Sequence, residues 1–338
     1  MGPDIDRRTF VKGIGTTAAT ATLGAGSAVA RGGYGGKEED GHDDRGDTDR
    51  DWYGDAPALI AHRGFAGQYP ENTVGAVELA ARGGHGPGAT RRGADMIEID
   101  IVPTADGDVV VFHDDGLAER DGGERGLTDV EGLVWETPTE TVLDAEVLGS
   151  GETVPLLSTV LDAIPPHVAV NVEFKNPGSL DLRFAESLDS DALAAQKGLW
   201  RPFTERALDA IEACRNDVLV SSFYEAALAT VRDLAPDLPV APLLWDSIED
   251  GLAIARRYDA EAVHPPYNMV RGTPFYGDPY YTEGPWSETD LLAVAHEEGR
   301  AVNVYTVATW YQAQELVDAG VDGIIGDYSN LLAFGERS

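Results

Sequence analysis

The stretch MIEIDIVPTADGDVVVFHD (residues 96–114) contains two apolar runs separated by a polar turn with an Asp106-Gly107 step. This step is a strong hairpin signal, so the two runs are expected to fold back on each other as strands. Because strand side chains alternate between faces, Glu98 and Asp100 share one face and the neighbouring isoleucines share the other. The apolar face is expected to pack under helices, which turns both carboxylates toward the interior of a barrel.

Apolar runs of this kind alternate with amphipathic segments along the chain. The strand candidates are 58–63, 95–102, 108–113, 168–175, 217–222, 239–244, 260–264, 301–306 and 322–326. The helix candidates are 71–82, 156–163, 202–214, 224–234, 249–258, 287–299 and 309–319. Alternation of this type predicts an α/β fold in which eight parallel strands close a (β/α)8 barrel. One strand is in excess, and we expect one member of the 95–113 hairpin to leave the barrel.

Three stretches are predicted to be insertions on this framework, namely the Gly-rich 83–93, the acidic 116–153 and the aromatic, proline-rich 271–286. Segment 116–153 follows the hairpin directly. It is expected either to cap the site and limit substrate size, or to form a solvated acidic flap.

The N-terminus is typical of an export address. An arginine pair, Arg7-Arg8, precedes a weakly apolar stretch that ends in Ala28-Val29-Ala30, which predicts a twin-arginine signal peptide over residues 1–30. Residues 31–50 are almost all glycine and charge, so they are predicted to form a disordered linker. The catalytic domain is then 51–338. The signal is too rich in small residues to span a bilayer and no cysteine directly follows it, so no stable membrane anchor is expected.

The charge of the chain restricts its environment and partners. The formal net charge is −34, from 59 acidic and 25 basic residues. Such charge repels itself unless counterions screen it, which favours an extracellular or cell-surface protein in a salt-rich medium. An ordinary acidic secreted protein is the alternative, and nucleic acid is excluded as a plausible partner. Cys214 is the only cysteine, so neither an intrachain disulfide nor a zinc site built on several thiolates can form.

A third carboxylate is expected beside Glu98 and Asp100. In VNVEFK (residues 170–175), Glu173 and Lys175 share the face opposite the apolar residues. Each acid alone could form a salt bridge, but three together in a low-dielectric interior require a proton or a cation. Carboxylate ligands with open water positions suit Ca²⁺ or Mg²⁺ better than zinc. We therefore predict one divalent cation as the cofactor.

Two histidines are expected near this cation. His62 ends the first strand candidate and His113 ends the second strand of the hairpin, which returns toward the level of Glu98. A pair of imidazoles can act as general acid and general base near neutral pH. A single histidine at a strand end is more often a hydrogen-bonded structural residue, and the sequence does not assign the two roles.

The chain resembles a known family through several blocks in order. These are AHRGFAGQYPENT (61–73), GADMIEIDIVPTADGDVVVFHD (93–114), VNVEFK (170–175), VSSF (220–223), VNVYTV (302–307) and GVDGIIGD (320–327). Together they resemble the glycerophosphodiester phosphodiesterases, which use a phospholipase-C-like TIM barrel. The similarity runs from about Leu59 to Leu332, and its first two blocks are the most specific.

The resemblance implies a role for each matching position. Glu98, Asp100 and Glu173 match the metal ligands, and His62 and His113 match the catalytic acid and base. Arg63 and Lys175 match the cations that bind phosphate. Glu71 falls near the site in the family, where it helps to ligate or orient, although an acid favourable to a helix dipole is the alternative.

Two departures from the family pattern concern substrate preference. Tyr305 stands where the family usually has a tryptophan that contacts the alcohol part of the substrate, and GIIGDYSN (323–330) replaces the usual ending. The implied reaction is metal-dependent hydrolysis of a small glycerophosphodiester to sn-glycerol 3-phosphate and an alcohol. The alternatives are a phospholipase-D-like lipid phosphodiesterase on the same barrel and a non-catalytic phosphodiester-binding surface protein. The sequence does not indicate an oligomeric state.

Overall fold

The structure is a computed structural model that describes residues 57–83, 93–120, 124–280, 282, 284–286 and 288–333. The predicted signal peptide (1–30), the predicted linker (31–50) and nearly all of the predicted insertion 83–93 lie outside the described residues. Within the described part of the chain, no helix has the length and apolar composition needed to cross a membrane.

Eight parallel strands form a barrel, as the alternating pattern predicts. The strands in chain order are β1 (Ala58–Ala61), β2 (Met96–Pro103), β3 (Val109–Val111), β4 (Glu119–Arg120), β5 (Glu124–Arg125), β6 (Ala169–Phe174), β7 (Val218–Ser222), β8 (Val240–Pro242), β9 (Ala262–Val263), β10 (Ala301–Val307) and β11 (Gly323–Gly326). Eight of these strands form the barrel, in the order β8-β7-β6-β2-β1-β11-β10-β9. Backbone hydrogen bonds of 2.9 Å, from Leu244 to the His264 carbonyl and from His264 to the Pro242 carbonyl, join β8 to β9.

The surplus strand is β3, which pairs antiparallel with β2 and lies off the barrel path. Its register pairs Ile101 with Val111, so the chain folds back at the predicted Asp106-Gly107 turn. The left-handed backbone of Gly107, at φ 83°, is the conformation that this turn requires.

The helices surround the barrel. They are α1 (Val74–Arg82), α2 (Thr139–Leu143), α3 (Leu157–Ala163), α4 (Ser190–Ala213), α5 (Glu225–Leu234), α6 (Ile248–Arg257), α7 (Leu291–Glu297) and α8 (Trp310–Ala319). The predicted helix 202–214 is too short, because α4 begins at Ser190, where Asp189 accepts hydrogen bonds from Asp191 N and Ala192 N. Pro202, the first residue of the predicted segment, lies inside the helix.

The alternation of β2 and β6 separates two cores. Ile97, Ile99 and Ile101 are buried in the layer between strands and helices, together with Val170 and Val172. The opposite face of the strands points into the barrel, whose lower part is filled by small and apolar residues that include Ala58, Ile60, Met96 and Ala169. The polar side chains of β2 and β6 therefore lie above this apolar base, at the carboxyl ends of the strands.

The predicted insertion 116–153 is a folded unit rather than a solvated flap. It contains β4, β5 and α2, and its apolar residues Leu117, Leu127, Val134 and Val142 form a separate cluster with Phe112 of the hairpin. None of the residues of this segment that the structure describes, 116–120 and 124–153, lines the cavity described below. The structure therefore gives no support to a cap that contacts the site.

Candidate active site

A cavity of about 700 Å³ opens at the carboxyl ends of the barrel strands. Of the nine residues predicted from the sequence, all but Asp100 and Glu71 line it, and those two contact Arg63. The cavity has two sides of different chemistry. Charged residues that follow β1 and β3, or lie on or directly after β2 and β6, form one side. Aromatic residues that follow β6, β7 and β8 or lie on β10 form the other.

The three predicted carboxylates come together on the charged side. Asp100 lies directly opposite Glu173 in the pairing of β2 with β6, and Glu98 lies one inward position below Asp100. Oxygen atoms of all three lie within 4.8 Å of one another, and all three side chains are buried. The strand period thus brings acids from two chain segments to a single point.

Burial and mutual repulsion perturb these acids differently. Burial raises the pKa of Glu98 well above its ordinary range, and the charges of Asp100 and Glu173 raise it further. The pKa of Glu173 is also raised, chiefly by burial, although Lys175 opposes the shift. Burial acts in the same direction on Asp100, but the nearby Arg63 and Lys175 outweigh it and lower the pKa of Asp100. The three carboxylic acids therefore differ in pKa although they belong to one cluster.

The donor set fits a hard divalent cation. The Oε1 atom of Glu98 and the Oδ1 atom of Asp100 are buried and accept no hydrogen bond. Buried acceptors of this kind are costly unless a cation or a proton satisfies them. Three carboxylates without a thiolate or imidazole in the cluster favour Ca²⁺ or Mg²⁺ over softer metals. Glu98, Asp100 and Glu173 are the residues that would hold the ion.

The loop after β1 is wound tightly against these acids. His62 begins a 3₁₀ turn instead of ending the strand, and Arg63 and Phe65 adopt left-handed backbone conformations with φ of 50° and 69°. The Arg63 N–H donates to Glu98 Oε2 at 2.8 Å. At Gly64 an added Cβ atom would lie 2.9 Å from the Ala76 Cβ, so glycine permits this close approach.

Arg63 is held between two carboxylates. Its Nη1 donates to Glu71 at 2.7 Å, and its Nε lies 3.3 Å from Asp100. Burial would lower the pKa of Arg63, but the charges of Asp100, Glu71 and Glu98 raise it on balance, so the guanidinium stays charged. Glu71 precedes α1 and is not in its first turn, so its observed contact is with Arg63 and not with the helix dipole.

The second cation, Lys175, lies across the carboxylate cluster from this loop. Its Nζ donates to Glu173 at 2.8 Å and lies 3.8 Å from Asp100. Burial tends to lower the pKa of Lys175, but Glu173 and Asp100 raise it overall. Two charged cations therefore border the same three acids.

Each predicted catalytic histidine has a carboxylate on its Nδ1 atom. His62 Nδ1 lies 2.7 Å from Asp327 Oδ1, and His113 Nδ1 lies 2.6 Å from Asp114 Oδ1. A carboxylate only accepts, so both rings carry their proton on Nδ1 in the neutral form, with Nε2 on the opposite edge. The sequence analysis assigned no role to Asp114 or Asp327, although both lie in the quoted motif blocks.

Asn72 is another residue that the sequence analysis missed. Its Nδ2 donates to Asp100 Oδ2 at 2.8 Å, and its Oδ1 accepts from the Asp100 N–H at 3.2 Å. This double contact requires a left-handed backbone at Asn72, with φ of 59°. The Pro-Glu-Asn block was the available signal, since asparagine tolerates this conformation better than most residues.

The aromatic side of the cavity was not predicted beyond Tyr305. The rings of Phe184, Phe223 and Trp245 contact one another, with centroids 5.0 to 5.7 Å apart. The Tyr305 ring packs on Phe223 at 5.9 Å, and its hydroxyl donates to the Leu244 carbonyl. Phe184 lies in the long loop after β6, where no strand or helix period predicted its direction.

Residues 62–331 match the family model described as the glycerophosphoryl diester phosphodiesterase family. The chain belongs to this family. The match confirms the resemblance and the prediction of an enzyme, and it leaves the non-catalytic alternative without support. Among curated relatives, a glycerophosphodiester phosphodiesterase of Bacillus altitudinis is 27% identical over 80% of this chain and 94% of its own. Another, from Caldanaerobacter subterraneus, is 28% identical over 80% and 93%.

Solved structures agree on the architecture of this phosphodiesterase. A phosphodiesterase of Oleispira antarctica, in complex with the product sn-glycerol-3-phosphate, superposes with a TM-score of 0.63 at 21% identity. The match covers 83% of this chain and 98% of the other. A glycerophosphodiester phosphodiesterase from Agrobacterium tumefaciens superposes with a TM-score of 0.55 at 19% identity, over 82% and 99%. At these identities the likeness shows the fold, and it confirms the TIM barrel.

Proposed function

We propose that this phosphodiesterase hydrolyses glycerophosphodiesters to sn-glycerol 3-phosphate and an alcohol, with one divalent cation and with His62 and His113 as the acid and base. One observation carries the proposal. Three buried carboxylates cluster beside two imidazoles, two of the acids carry a buried oxygen that accepts no hydrogen bond, and each imidazole is paired with its own aspartate.

The phosphodiester binds between the charged groups. Arg63 and Lys175 donate to its non-bridging oxygens, and Glu71 and Glu173 hold these two cations in place. A divalent cation held by Glu98, Asp100 and Glu173 would act as a Lewis acid and neutralise the charge that develops on the phosphoryl oxygens. Because the side chains are held before the substrate arrives, little reorganisation is needed as the reaction proceeds.

The two imidazoles move the protons. One accepts a proton from the attacking hydroxyl as the new P–O bond forms. The other donates a proton to the departing alcohol oxygen as its P–O bond breaks. Attack by water gives sn-glycerol 3-phosphate directly, whereas attack by the neighbouring glycerol hydroxyl gives a cyclic phosphodiester that water then opens. The aspartate beside each Nδ1 orients the ring so that its Nε2 atom exchanges the proton. It also stabilises the imidazolium form.

The experiment measures hydrolysis of glycerophosphocholine by the full chain in molar salt with Ca²⁺ or Mg²⁺. We expect EDTA to abolish activity, re-addition of the ion to restore it, and His62→Ala to remove most of it. His167→Ala, at an exposed histidine away from the cavity, is the matched control and retains activity. Full activity in EDTA, or in the His62→Ala variant, would overturn the mechanism.

The aromatic side favours a second candidate, a phospholipase-D-like lipid phosphodiesterase. A cavity of about 700 Å³ with four contacting rings can hold an acylated glycerol, which is larger and more apolar than glycerol itself. Hydrolysis of lysophosphatidylcholine to lysophosphatidic acid and choline, with glycerophosphocholine unreacted, would favour this candidate.

We further propose that the enzyme is exported by the twin-arginine route into a salt-rich medium. The Arg7-Arg8 pair and the net charge of −34 support the proposal. Replacing both arginines by lysine is expected to retain the protein inside the cell. Melting temperature is expected to rise between about 0.1 and 2 M NaCl as counterions screen the acidic residues.

A further inference from the structure

Large exposed apolar side chains are concentrated at the catalytic end of the barrel. Among the described residues eight such side chains are exposed, and five of them follow the carboxyl ends of β6, β10 and β11. These five, which we call the apolar rim, are Leu180, Phe184, Trp310, Tyr311 and Tyr328. Leu180 is 78% exposed and Trp310 is 61% exposed, so neither side chain belongs to the hydrophobic core. Clustered exposure of this kind marks an interaction site.

The rim flanks the cavity from opposite sides. In the strand order β6 and β10 are separated by three strands in either direction around the ring, so the segments that follow them face each other across the mouth. Phe184 lines the cavity itself. Tyr328 adjoins Asp327, the partner of His62, and its ring lies against Gly67 of the loop after β1. The mouth of the cavity therefore lies between the rim residues.

The loop that carries Leu180 and Phe184 is held in this exposed arrangement. Asn176 Oδ1 accepts from the Gly178 and Ser179 N–H groups, each at 2.8 Å, and Gln196 Nε2 donates to the Asp181 carbonyl at 2.8 Å. These bonds lie on both sides of Leu180. At the end of the loop, the buried Glu225 accepts from the Leu188 N–H. The exposure of the leucine is therefore built into a pinned loop.

We propose that the apolar rim docks reversibly on a zwitterionic lipid surface, so that phosphodiesters of the surface reach the cavity in addition to soluble glycerophosphodiesters. A protein seated on the rim would close the mouth, whereas a lipid surface supplies substrate to it. Tryptophan and tyrosine prefer the boundary between water and acyl chains. The acidic chain would be repelled by an anionic surface, so neutral headgroups are the matching chemistry. The orientation rests on the proposed function, since it takes the cavity to be catalytic.

The test measures sedimentation of the full chain with phosphatidylcholine vesicles, and uses the double variant Leu180→Ser/Trp310→Ser. We expect the wild type to bind the vesicles and its binding to strengthen as NaCl is added. The double variant is expected to bind at least about tenfold more weakly than the wild type. Leu199→Ser, at an exposed leucine of α4 away from the mouth, is the matched control and binds as the wild type. The tryptophan emission of the wild type, to which Trp310 contributes, should shift to the blue with vesicles, and that of the double variant should shift less.

Several outcomes would overturn the docking proposal. They are no binding by the wild type, equal binding by the double variant, or equal loss in Leu199→Ser. A wild-type dimer that the double variant loses would assign the rim to a second copy of the chain. Hydrolysis of soluble glycerophosphocholine should stay within about twofold of wild type in the double variant. Failure of the wild type in that assay would overturn the proposed function instead, because vesicle binding is read without turnover.

Discussion

The Nδ1 atom of His62 lies 2.7 Å from the Oδ1 atom of Asp327, although 265 residues separate the two in the chain. The contact exists because β1 and β11 are neighbours in the barrel, with Ala61 paired to Gly326. Each partner is the first residue after its strand, so the pairing of the strands aligns the imidazole with the carboxylate.

The variant Asp327→Asn tests this contact. An amide can donate to Nδ1 and so favour the other tautomer, which removes the acceptor from the Nε2 edge. We expect kcat for glycerophosphocholine to fall by about 100-fold with little change in melting temperature. The matched control is Asp322→Asn, because Asp322 makes the same 2.7 Å contact with His296 outside the cavity. If both variants lose activity equally, the His62–Asp327 pair has only a structural role.

Glu71→Gln tests whether the ion pair with Arg63 prepares the phosphate site. The variant weakens the hold on the guanidinium without removing the side chain, so we expect KM to rise about 3- to 10-fold with a smaller change in kcat. Glu78→Gln removes a comparable but exposed pair with Arg82 and should leave both constants unchanged. An unchanged KM in Glu71→Gln would show that Asp100 alone positions Arg63.

Glu98→Gln should act in opposite directions on the two forms of the protein. The pKa of Glu98 is raised when folded, so the metal-free protein loses unfolding free energy as pH rises from the ordinary value of 4.5 through the folded pKa. At neutral pH we therefore expect the metal-free variant to be more stable than wild type, by about 1 kcal/mol or more. Added Ca²⁺ or Mg²⁺ should stabilise only the wild type.

Calorimetry of cation binding checks the same assignment. Below the folded pKa of Glu98 the incoming ion must displace a proton, so affinity rises with pH and protons are released. Titrations in buffers of different ionisation enthalpy measure this release. If the wild type releases no proton on cation binding at a pH where the metal-free Glu98→Gln variant is the more stable protein, Glu98 does not carry the displaced proton.

His264 is expected to account for part of the loss of unfolding free energy at acid pH. This histidine is fully buried in the barrel, accepts from Asn303 at 3.1 Å, and has its pKa lowered by burial to about 3. Between its ordinary pKa of 6.5 and this value only the unfolded chain binds the proton, so unfolding free energy falls as pH falls. The expected slope from this residue is about 1.4 kcal/mol per pH unit within the window.

Urea unfolding of His264→Gln at pH 7 and pH 5 measures this contribution. Glutamine can still accept from Asn303 but does not titrate, so the variant should lose less stability between the two pH values than wild type. His167→Gln, at an exposed site, should behave as wild type. A parallel loss in all three proteins would place the acid sensitivity elsewhere.

Local patterns predicted much of this architecture because they depend on short-range geometry. The period of two along β2 and β6 directs Glu98, Asp100 and Glu173 inward wherever those strands lie. The Asp106-Gly107 step likewise predicted that β3 returns beside β2. The predicted segment 202–214 missed the part of α4 that begins at Ser190, where Asp189 is the N-terminal cap.

By itself, the sequence of this protein determined the barrel class, the inward acids and the histidines at strand ends, since each follows from chain-local periodicity. Only the tertiary structure decided which carboxylate orients His62 and which rings form the aromatic side of the cavity. It also decided that residues of the apolar rim lie on opposite sides of the cavity mouth. These relationships depend on closure of the ring, which makes neighbours of β1 and β11 and sets β6 opposite β10. Closure is a property of the register of all eight strands, and no single segment encodes it.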